Sequence, residues 1–380
     1  MAADSTATRV RALIESSGLT QSAFAARAGL DASKMSKSLS GVRRFTSLDL
    51  AHIAELGDVT VDWLLAGKAG TPAVAARAAN LHDGGVDAAV GEATRLAQGR
   101  EDLAFLGYER SPGPVSVVGR RHRKARNGAR LAARIVDELR TAGGDPLARD
   151  LASVVEYYFG IDVALSGIPA GCDGLAWRDR HAQLILVATT EYPTRQRFTI
   201  AHELGHLLAG DDQALSIDRD VMDPERRRHP SEVTANAFAA AFLLPDDTLR
   251  EALPVGGGLS LDAFAALVMR FSVSPSTLAY RLHALGLITT AMREEFRTQT
   301  TAACAFRVGR SGEFADWIES SRRSRLPATL VRDTFTAYLD GKSTLRPFAN
   351  LVGVDVDTLR RALETPAGPG AGDVEPEFVP

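Results

Sequence analysis

The chain has 380 residues and a mass of 40.5 kDa, a length that predicts two or three domains. Apolar residues make up 45% of the chain and charged residues 24%, which is ordinary for a folded protein and excludes disorder over its whole length. The net charge of −3 and the pI of about 6.3 exclude a global basic field, so any DNA contact must come from a local patch.

Several other classes of protein are excluded by the sequence. No apolar run approaches the roughly 18 residues of a membrane helix, and the first residues lack the long apolar core of a secretory signal. Two cysteines, Cys172 and Cys304, are too few for a disulfide scaffold or a cysteine zinc site. We therefore expect a cytoplasmic protein with no membrane partner.

The first 67 residues are predicted to form short helices, because apolar residues recur at spacings of three and four between glycines. One helix begins at Thr20-Gln21, Gly29 permits a turn, and Asp31 caps a second helix over residues 32–40. This pattern is typical of a helix-turn-helix, whose second helix enters the major groove of DNA with its N-terminal side chains at base edges.

Polar residues around this helix pair are candidates for DNA contacts. Arg43 and Arg44 follow the second helix directly and are expected to contact phosphates, as is Gln21 at the start of the first. Residues 1–70 carry only eight Lys or Arg against seven Asp or Glu, which is a weak electrostatic footprint. A protein-docking role for the same helix pair therefore stays open.

The segment 5–67, which closes with Asp62-Trp63-Leu64-Leu65, resembles the λ-repressor-like (XRE) family of DNA-binding domains. The resemblance covers the turn, the helix caps and the closing motif. It implies that the protein binds an operator as a homodimer. It also implies base contacts from three residues of the second helix: Ser33, Lys34 and Lys37.

Residues 70–128 are predicted to form a connector that is partly helical and partly flexible. This segment is rich in alanine, and it contains Ser111-Pro112-Gly113-Pro114 and the basic run 120–126. The basic run is interpreted as a solvated face of the linker, with phosphate contact as the alternative.

From about residue 129 the pattern becomes mixed. Residues 161–165 and 181–187 are predicted strands, and helices are predicted over 193–210 and 231–244. Beyond residue 255 the chain is again expected to be helical, with a disordered tail over 366–380 that is rich in proline, glycine and acidic residues.

The strongest motif in the chain is His202-Glu203-Leu-Gly-His206. The two histidines are four residues apart on a predicted helix, so both imidazoles share one face and can bind one Zn²⁺. Glu203 lies beside the first histidine, where its carboxylate can take a proton from the attacking water and later deliver it to a leaving amine. The pattern therefore predicts a catalytic zinc site.

A third ligand is needed, and two candidates follow the motif. Glu232 begins a helix 26 residues after His206, and we favour it over Asp212, which lacks the glycine turn of the extended zinc motif. The alternative for Glu232 is a first-turn acid that the helix dipole favours. Asn236, one turn after Glu232, is predicted to accept a hydrogen bond from the ring of His202 and to fix its tautomer.

Three segments resemble the ImmA/IrrE family of metallopeptidases: RQRFTIAHELGHLLAG at 195–210, SEVTANAFAAAFLLP at 231–245 and SVSPSTLAYRLHALGLI at 272–288. The resemblance, together with the strands, covers about 129–290. It implies His202, His206 and Glu232 as zinc ligands and Glu203 as the catalytic residue. In that family the peptidase commonly cleaves a helix-turn-helix repressor, so a regulator of this kind is the expected protein substrate.

The sequence thus predicts a mainly α protein with a small β-sheet (α+β). An all-α helix-turn-helix domain precedes a zincin-like metallopeptidase domain and a helical C-terminal region. The predicted boundaries are 1–69, 70–128, 129–290, 291–365 and 366–380. Alternative functions are a transcription regulator whose peptidase-like domain senses or packs without cleaving, and an antitoxin-like protein.

Overall fold

The structure is a computed structural model that describes residues 6–57, 64, 84–115, 127–169, 171–209, 215–218, 230–254 and 258–364. The chain divides after Asp83 into two compact units, which are described separately. Some parts of the sequence prediction fall outside the described residues: most of the closing Asp62-Trp63-Leu64-Leu65, Asp212, the basic run 120–126 and the tail 366–380.

The first unit is built from short helices around an apolar core. Its described helices are α1 (Thr6–Ser16), α2 (Gln21–Arg27), α3 (Ala32–Leu39) and α4 (Ser47–Gly57). Gly29 has a φ of +67°, and the Asp31 side chain accepts a hydrogen bond from the Ser33 backbone nitrogen at 2.7 Å. Because that turn and that cap set the direction of α3, the side chain of Met35 is fully buried against Phe24 and its neighbours in the core.

A four-stranded sheet lies in the second unit. Its strands are β1 (Asp162–Ser166), β2 (Gly174–Arg178), β3 (Gln183–Ala188) and β4 (Leu215–Asp218), in the order β1-β3-β2-β4. β1 is parallel to β3, whereas β2 is antiparallel to both β3 and β4. The first five residues of β3 are buried, as expected for an apolar strand inside a sheet.

Helices surround this sheet and extend to the end of the described chain. Those that precede or carry the functional site are α5 (Gly84–Phe105), α6 (Gly128–Thr141), α7 (Leu151–Phe159), α8 (Pro193–Ala209) and α9 (Pro230–Leu243). The later ones are α10 (Asp246–Ala252), α11 (Leu261–Phe271), α12 (Pro275–Ala284), α13 (Thr290–Arg297), α14 (Thr301–Arg307), α15 (Ser311–Ser321), α16 (Ala328–Leu339), α17 (Leu345–Val352) and α18 (Val356–Glu364). The predicted fold class, mainly α with a small sheet, is confirmed.

Helix α5 lies within the segment that the sequence assigns to a connector, and it is part of the second unit. The buried guanidinium of Arg100 on α5 binds both carboxylate oxygens of Asp162 on β1, each at 2.6 Å. A third bond, 2.7 Å long, joins Arg100 to Asp333 on α16. These ion pairs fix α5 to the sheet and to the C-terminal helices.

The C-terminal region also packs on the sheet and on α8. Arg325 pairs with Leu165 of β1 through two backbone hydrogen bonds of 2.8 and 2.9 Å. The Gln196 side chain on α8 donates to the Ser321 carbonyl at 2.9 Å. Within the described residues, no helix is both long enough and apolar enough to cross a membrane.

Candidate metal centre

Helix α8 carries the two histidines of the predicted site into the interior of the second unit. His202 and His206 lie one turn apart and are 0% and 4% exposed. Their Nε2 atoms are 3.0 Å from each other, so both imidazoles converge on one point. This is the geometry that the i, i+4 spacing predicts for two ligands of one ion.

Glu232, in the first turn of α9, completes this cluster. Its Oε2 atom lies 3.2 Å from the His202 Nε2 atom, and its Oε1 atom lies 3.5 Å from the His206 Nε2 atom. Burial opposes ionisation of this carboxyl, but its hydrogen bonds to His202 and His206 outweigh burial and hold its pKa well below the usual range. The ligand atoms of the three residues lie within 4.8 Å of one another.

Asn236 fixes the orientation of the first histidine. Its Oδ1 atom lies 3.1 Å from the His202 Nδ1 atom. An amide oxygen can only accept, so this bond requires the proton on Nδ1, which leaves Nε2 available to a metal ion whenever the ring is neutral. This is the tautomer that a metal ligand requires.

Two glycines allow α9 to come close enough for Glu232 to reach the histidines. A Cβ atom at Gly205 would lie 3.0 Å from the Phe238 ring and 3.3 Å from the Ala235 Cα. A Cβ at Gly128, in the first turn of α6, would overlap the Thr234 carbonyl oxygen. The first turns of α9 therefore depend on close contact with α8 and α6.

Glu203 is fully buried in α8, beside strand β2. At Gly174, the first residue of β2, a Cβ atom would lie 2.6 Å from the Thr199 Cγ2 and 3.5 Å from the Glu203 Cγ. Because Gly174 has no side chain, this turn of α8 can pack directly against β2. The sequence pattern does not indicate the roles of Gly174, Gly205 and Gly128, because only the packing of the strand and the helices shows which glycines make close contacts.

The donor set fits a divalent ion of the zinc type. Two imidazole nitrogens bound to one tetrahedral zinc at about 2.0–2.1 Å lie roughly 3.3 Å apart. The two Nε2 atoms are 3.0 Å apart, and the Glu232 oxygens lie 3.2 and 3.5 Å from them. These distances are close to those of a tetrahedral zinc site. Two imidazoles and one carboxylate are also typical of catalytic rather than structural zinc.

The predicted DNA contacts lie on the first unit and have two different environments. Ser33, Lys34 and Lys37 are exposed on α3, and Gln21 and Arg44 are exposed nearby. Arg43 differs from them, because its guanidinium is half-buried and bound to Asp49 at 2.7 Å and to the Ser38 Oγ at 3.1 Å. The expected phosphate contact of Arg43 therefore competes with a bond inside the unit.

Comparison with known proteins finds relatives for part of the second unit. Residues 158–283 match the family described as the IrrE N-terminal-like domain. The chain is 38% identical to the radiation response metalloprotease IrrE of Deinococcus radiodurans over 135 residues, which are 35% of this chain and 40% of that protein. It is 34% identical over 160 residues to the protein of the same name from Deinococcus deserti, covering 40% of this chain and 54% of that protein.

A third relative is the metallopeptidase ImmA of Bacillus subtilis, with 32% identity over 114 residues, or 30% of this chain and 64% of that protein. The chain thus spans between 40% and 64% of the length of these relatives. The matched region contains the whole sheet, α8 with both histidines, and α9 with Glu232. It follows that residues 158–283 form a domain of the ImmA/IrrE family of metallopeptidases.

Proposed function

We propose that this chain is a zinc-dependent endopeptidase that also binds DNA and regulates transcription by cleaving a partner helix-turn-helix repressor. The observation that carries the proposal is the convergence of the buried His202 and His206 with the half-buried Glu232, in a domain of a metallopeptidase family. The whole protein acts in the cytoplasm, with a DNA operator and a protein substrate as its partners.

The three donors would hold the ion and leave one coordination position open. When bound, zinc supplies a Lewis acid that polarises the scissile carbonyl and makes water more acidic. Asn236 keeps His202 in the tautomer that can bind the metal. Glu203 takes the proton of the attacking water and delivers it to the leaving amine. Its position next to His202 in α8, in a turn that is buried against β2, supports this role.

The choice of a repressor as substrate is supported by the first unit. A peptidase with general specificity would be hazardous inside a cell, so we infer that recognition restricts it. The caps and the turn of α2 and α3, and the exposed polar residues of α3, match an XRE-type helix-turn-helix domain. Such a domain would bring in a similar regulator, either by pairing with it or by binding the same DNA.

Cleavage of candidate regulators by the full-length, zinc-loaded protein tests the proposal. Helix-turn-helix regulators encoded in the same genome are incubated with wild type and with Glu203→Gln, and the fragments are identified by mass spectrometry. We expect wild type to cut one regulator at one bond. Glu203→Gln should keep its metal and its DNA binding but should not cut, because an amide cannot take the proton.

Glu251→Gln is the matched control, since it makes the same change at an exposed position on α10. It should cleave like wild type. If wild type cleaves no regulator, and Glu203→Gln also leaves promoter occupancy and gene expression in cells unchanged, the protein is a regulator that does not act as an enzyme.

A further inference from the structure

The second unit contains a cavity of about 440 Å³ that lies beside the first turns of α7 and α8. Residues 149–152 form one side, and residues of α8 between Pro193 and Ile200 form another. The end of α15 and the segment after it form a third side. None of the metal-centre residues described above lines it, so the cavity is separate from the proposed active site.

Arginines dominate the charged residues on the wall. Arg149, Arg197, Arg323 and Arg325 line the cavity, against two acids, Asp150 and Asp316. Asp150 is already engaged, because its side chain caps α7 by accepting from the Ser153 backbone nitrogen at 3.0 Å.

Three of the arginines also have carboxylate partners from nearby elements. Arg149 pairs with Glu313, Arg325 pairs with Glu156, and Arg323 lies 3.2 Å from Glu319 on an exposed turn. These pairs reduce the cationic excess at the rim of the cavity. None of these carboxylates forms an ion pair with the fourth arginine, Arg197.

Arg197 is the exception, and it is only 4% exposed. Its guanidinium donates to the backbone carbonyls of Pro146, Ala148 and Arg149, which are neutral. Among the described residues no carboxylate lies within ion-pair distance of it, and its Nε atom has no hydrogen-bond partner. Burial lowers the pKa of Arg197 to about 10; the positive charge of Arg149 adds to this effect, and the negative charge of Asp145, which is not in contact with Arg197, offsets only part of it.

Other features of the wall favour an anion. The cavity lies at the N-terminal ends of α7 and α8, where the helix dipoles are positive. Ser320 and Ser324 contribute hydroxyl groups, and Trp317 contributes an aromatic ring over which the Arg149 guanidinium lies at 5.2 Å.

We propose that this cavity binds a small phosphate-bearing molecule, whose anionic group supplies the missing counter-charge for Arg197. A volume of 440 Å³ is in the range of small-molecule sites and is too small for a folded partner. The site is built on α8, the helix that carries both histidines, so occupancy stabilises the N-terminal half of that helix. The proposal does not depend on the peptidase activity.

Titration calorimetry of the full-length, metal-loaded protein with inorganic phosphate tests this site at constant ionic strength. We expect saturable binding of one phosphate per chain and a rise in Tm. Arg149→Gln and Arg323→Gln remove cations from the rim but keep the Arg197 side chain and the Arg149 carbonyl that it donates to, and each should weaken binding about tenfold, as loss of a charge-assisted hydrogen bond does. Arg197→Met should abolish binding if the variant folds, which circular dichroism determines.

Arg322→Gln is the matched control, because Arg322 adjoins Arg323 in sequence, pairs with Glu191 at 3.1 Å and does not line the cavity. It should bind phosphate like wild type. Absence of saturable binding by wild type would overturn the proposal. Binding that is unchanged by Arg149→Gln and Arg323→Gln, or weakened as much by Arg322→Gln, would also overturn it, because the anion would then be held by the metal or by general surface charge.

Discussion

At the scale of single residues, the metal centre depends as much on absent side chains as on the ligands themselves. Gly174 leaves space for Thr199 and Glu203, and Gly128 leaves space for the backbone of α9 at Thr234. The first contact is with Thr199, one turn before the base on α8, whereas the second is with the helix turn that carries the ligand Glu232. The two glycines should therefore have separable effects.

Gly174→Ala is expected to lower kcat on the order of 10²-fold, because the clash with Thr199 would shift this turn of α8, and a base displaced by about an ångström loses its alignment with the reacting atoms. It should leave the metal affinity close to that of wild type. Gly128→Ala is expected to weaken metal binding by about 10–100-fold, the range seen when support of a ligand is lost. Chelator competition and steady-state kinetics measure the two effects.

Gly91→Ala is the control for both changes, since a Cβ at Gly91 would meet nothing within 4 Å. It should leave affinity and turnover unchanged. Equal loss of metal in Gly174→Ala and Gly128→Ala would contradict the separation of roles.

Several residues of the site could be predicted from the sequence because their chemistry depends on local spacing. His202, Glu203 and His206 share one helix, and Glu232 with Asn236 shares the next, so i, i+4 geometry places each set. The contact between the two sets is long-range. From helix spacing alone, Glu232 could also be a first-turn acid that interacts with the helix dipole. In the structure its carboxylate oxygens lie 3.2 and 3.5 Å from the Nε2 atoms of the two histidines.

At the scale of elements, helices α8 and α9 lie within one residue of their predicted bounds, because Pro193 and Pro245 limit them in the sequence. Strands β1 and β3 were also expected. Strand β2 was not predicted. Its sequence, GLAWR, begins with glycine, and four of its five residues are buried. Because both faces of the strand are covered, polar and apolar residues do not alternate along it. β4 was not identified either.

Helix α5 lies in a segment that was predicted to be a connector, but it packs as part of the second unit. Its apolar residues do recur at spacings of three and four, and Val86, Val90 and Leu96 are buried, but small alanines make up much of this face. One residue, Arg100, makes the decisive contacts with Asp162 and Asp333, and both partners are distant in the chain. No local pattern could predict this pairing.

Arg100→Ala is expected to destabilise the protein by about 3–5 kcal/mol, because it leaves the buried carboxylate of Asp162 without its partner. Urea denaturation followed by circular dichroism measures the change. Arg95→Ala is the control on the same helix, since Arg95 and Glu92 form an exposed pair whose loss costs about 0–1 kcal/mol. A loss for Arg100→Ala no larger than that for Arg95→Ala would show that the cluster does not hold α5 in place.

At the scale of the whole molecule, the two units carry different chemistry, and the DNA-binding role of the first is a proposal with its own test. Lys37→Ala in the full-length chain should relax sequence preference, whereas Arg44→Ala should weaken all sequences alike and reduce the salt slope by about one. Gel shifts at several salt concentrations distinguish the two effects. Arg44 is a better probe than Arg43, which is bound to Asp49.

The control is Arg180→Ala, an exposed cation of the second unit, which should leave DNA binding unchanged. If the intact protein binds no DNA from its own promoter region at low salt, the first unit acts in protein docking instead.

We expect His202, His206 and Glu232 to form one metal site with Glu203 as its base. Elemental analysis of the purified full-length protein and its variants tests it most directly. We predict one zinc per wild-type chain, loss of zinc in His202→Ala and His206→Ala, reduced zinc in Glu232→Ala, and full zinc in Glu203→Gln and Asp212→Ala. Full zinc in either histidine variant, or loss of zinc in Asp212→Ala but not in Glu232→Ala, would contradict this assignment.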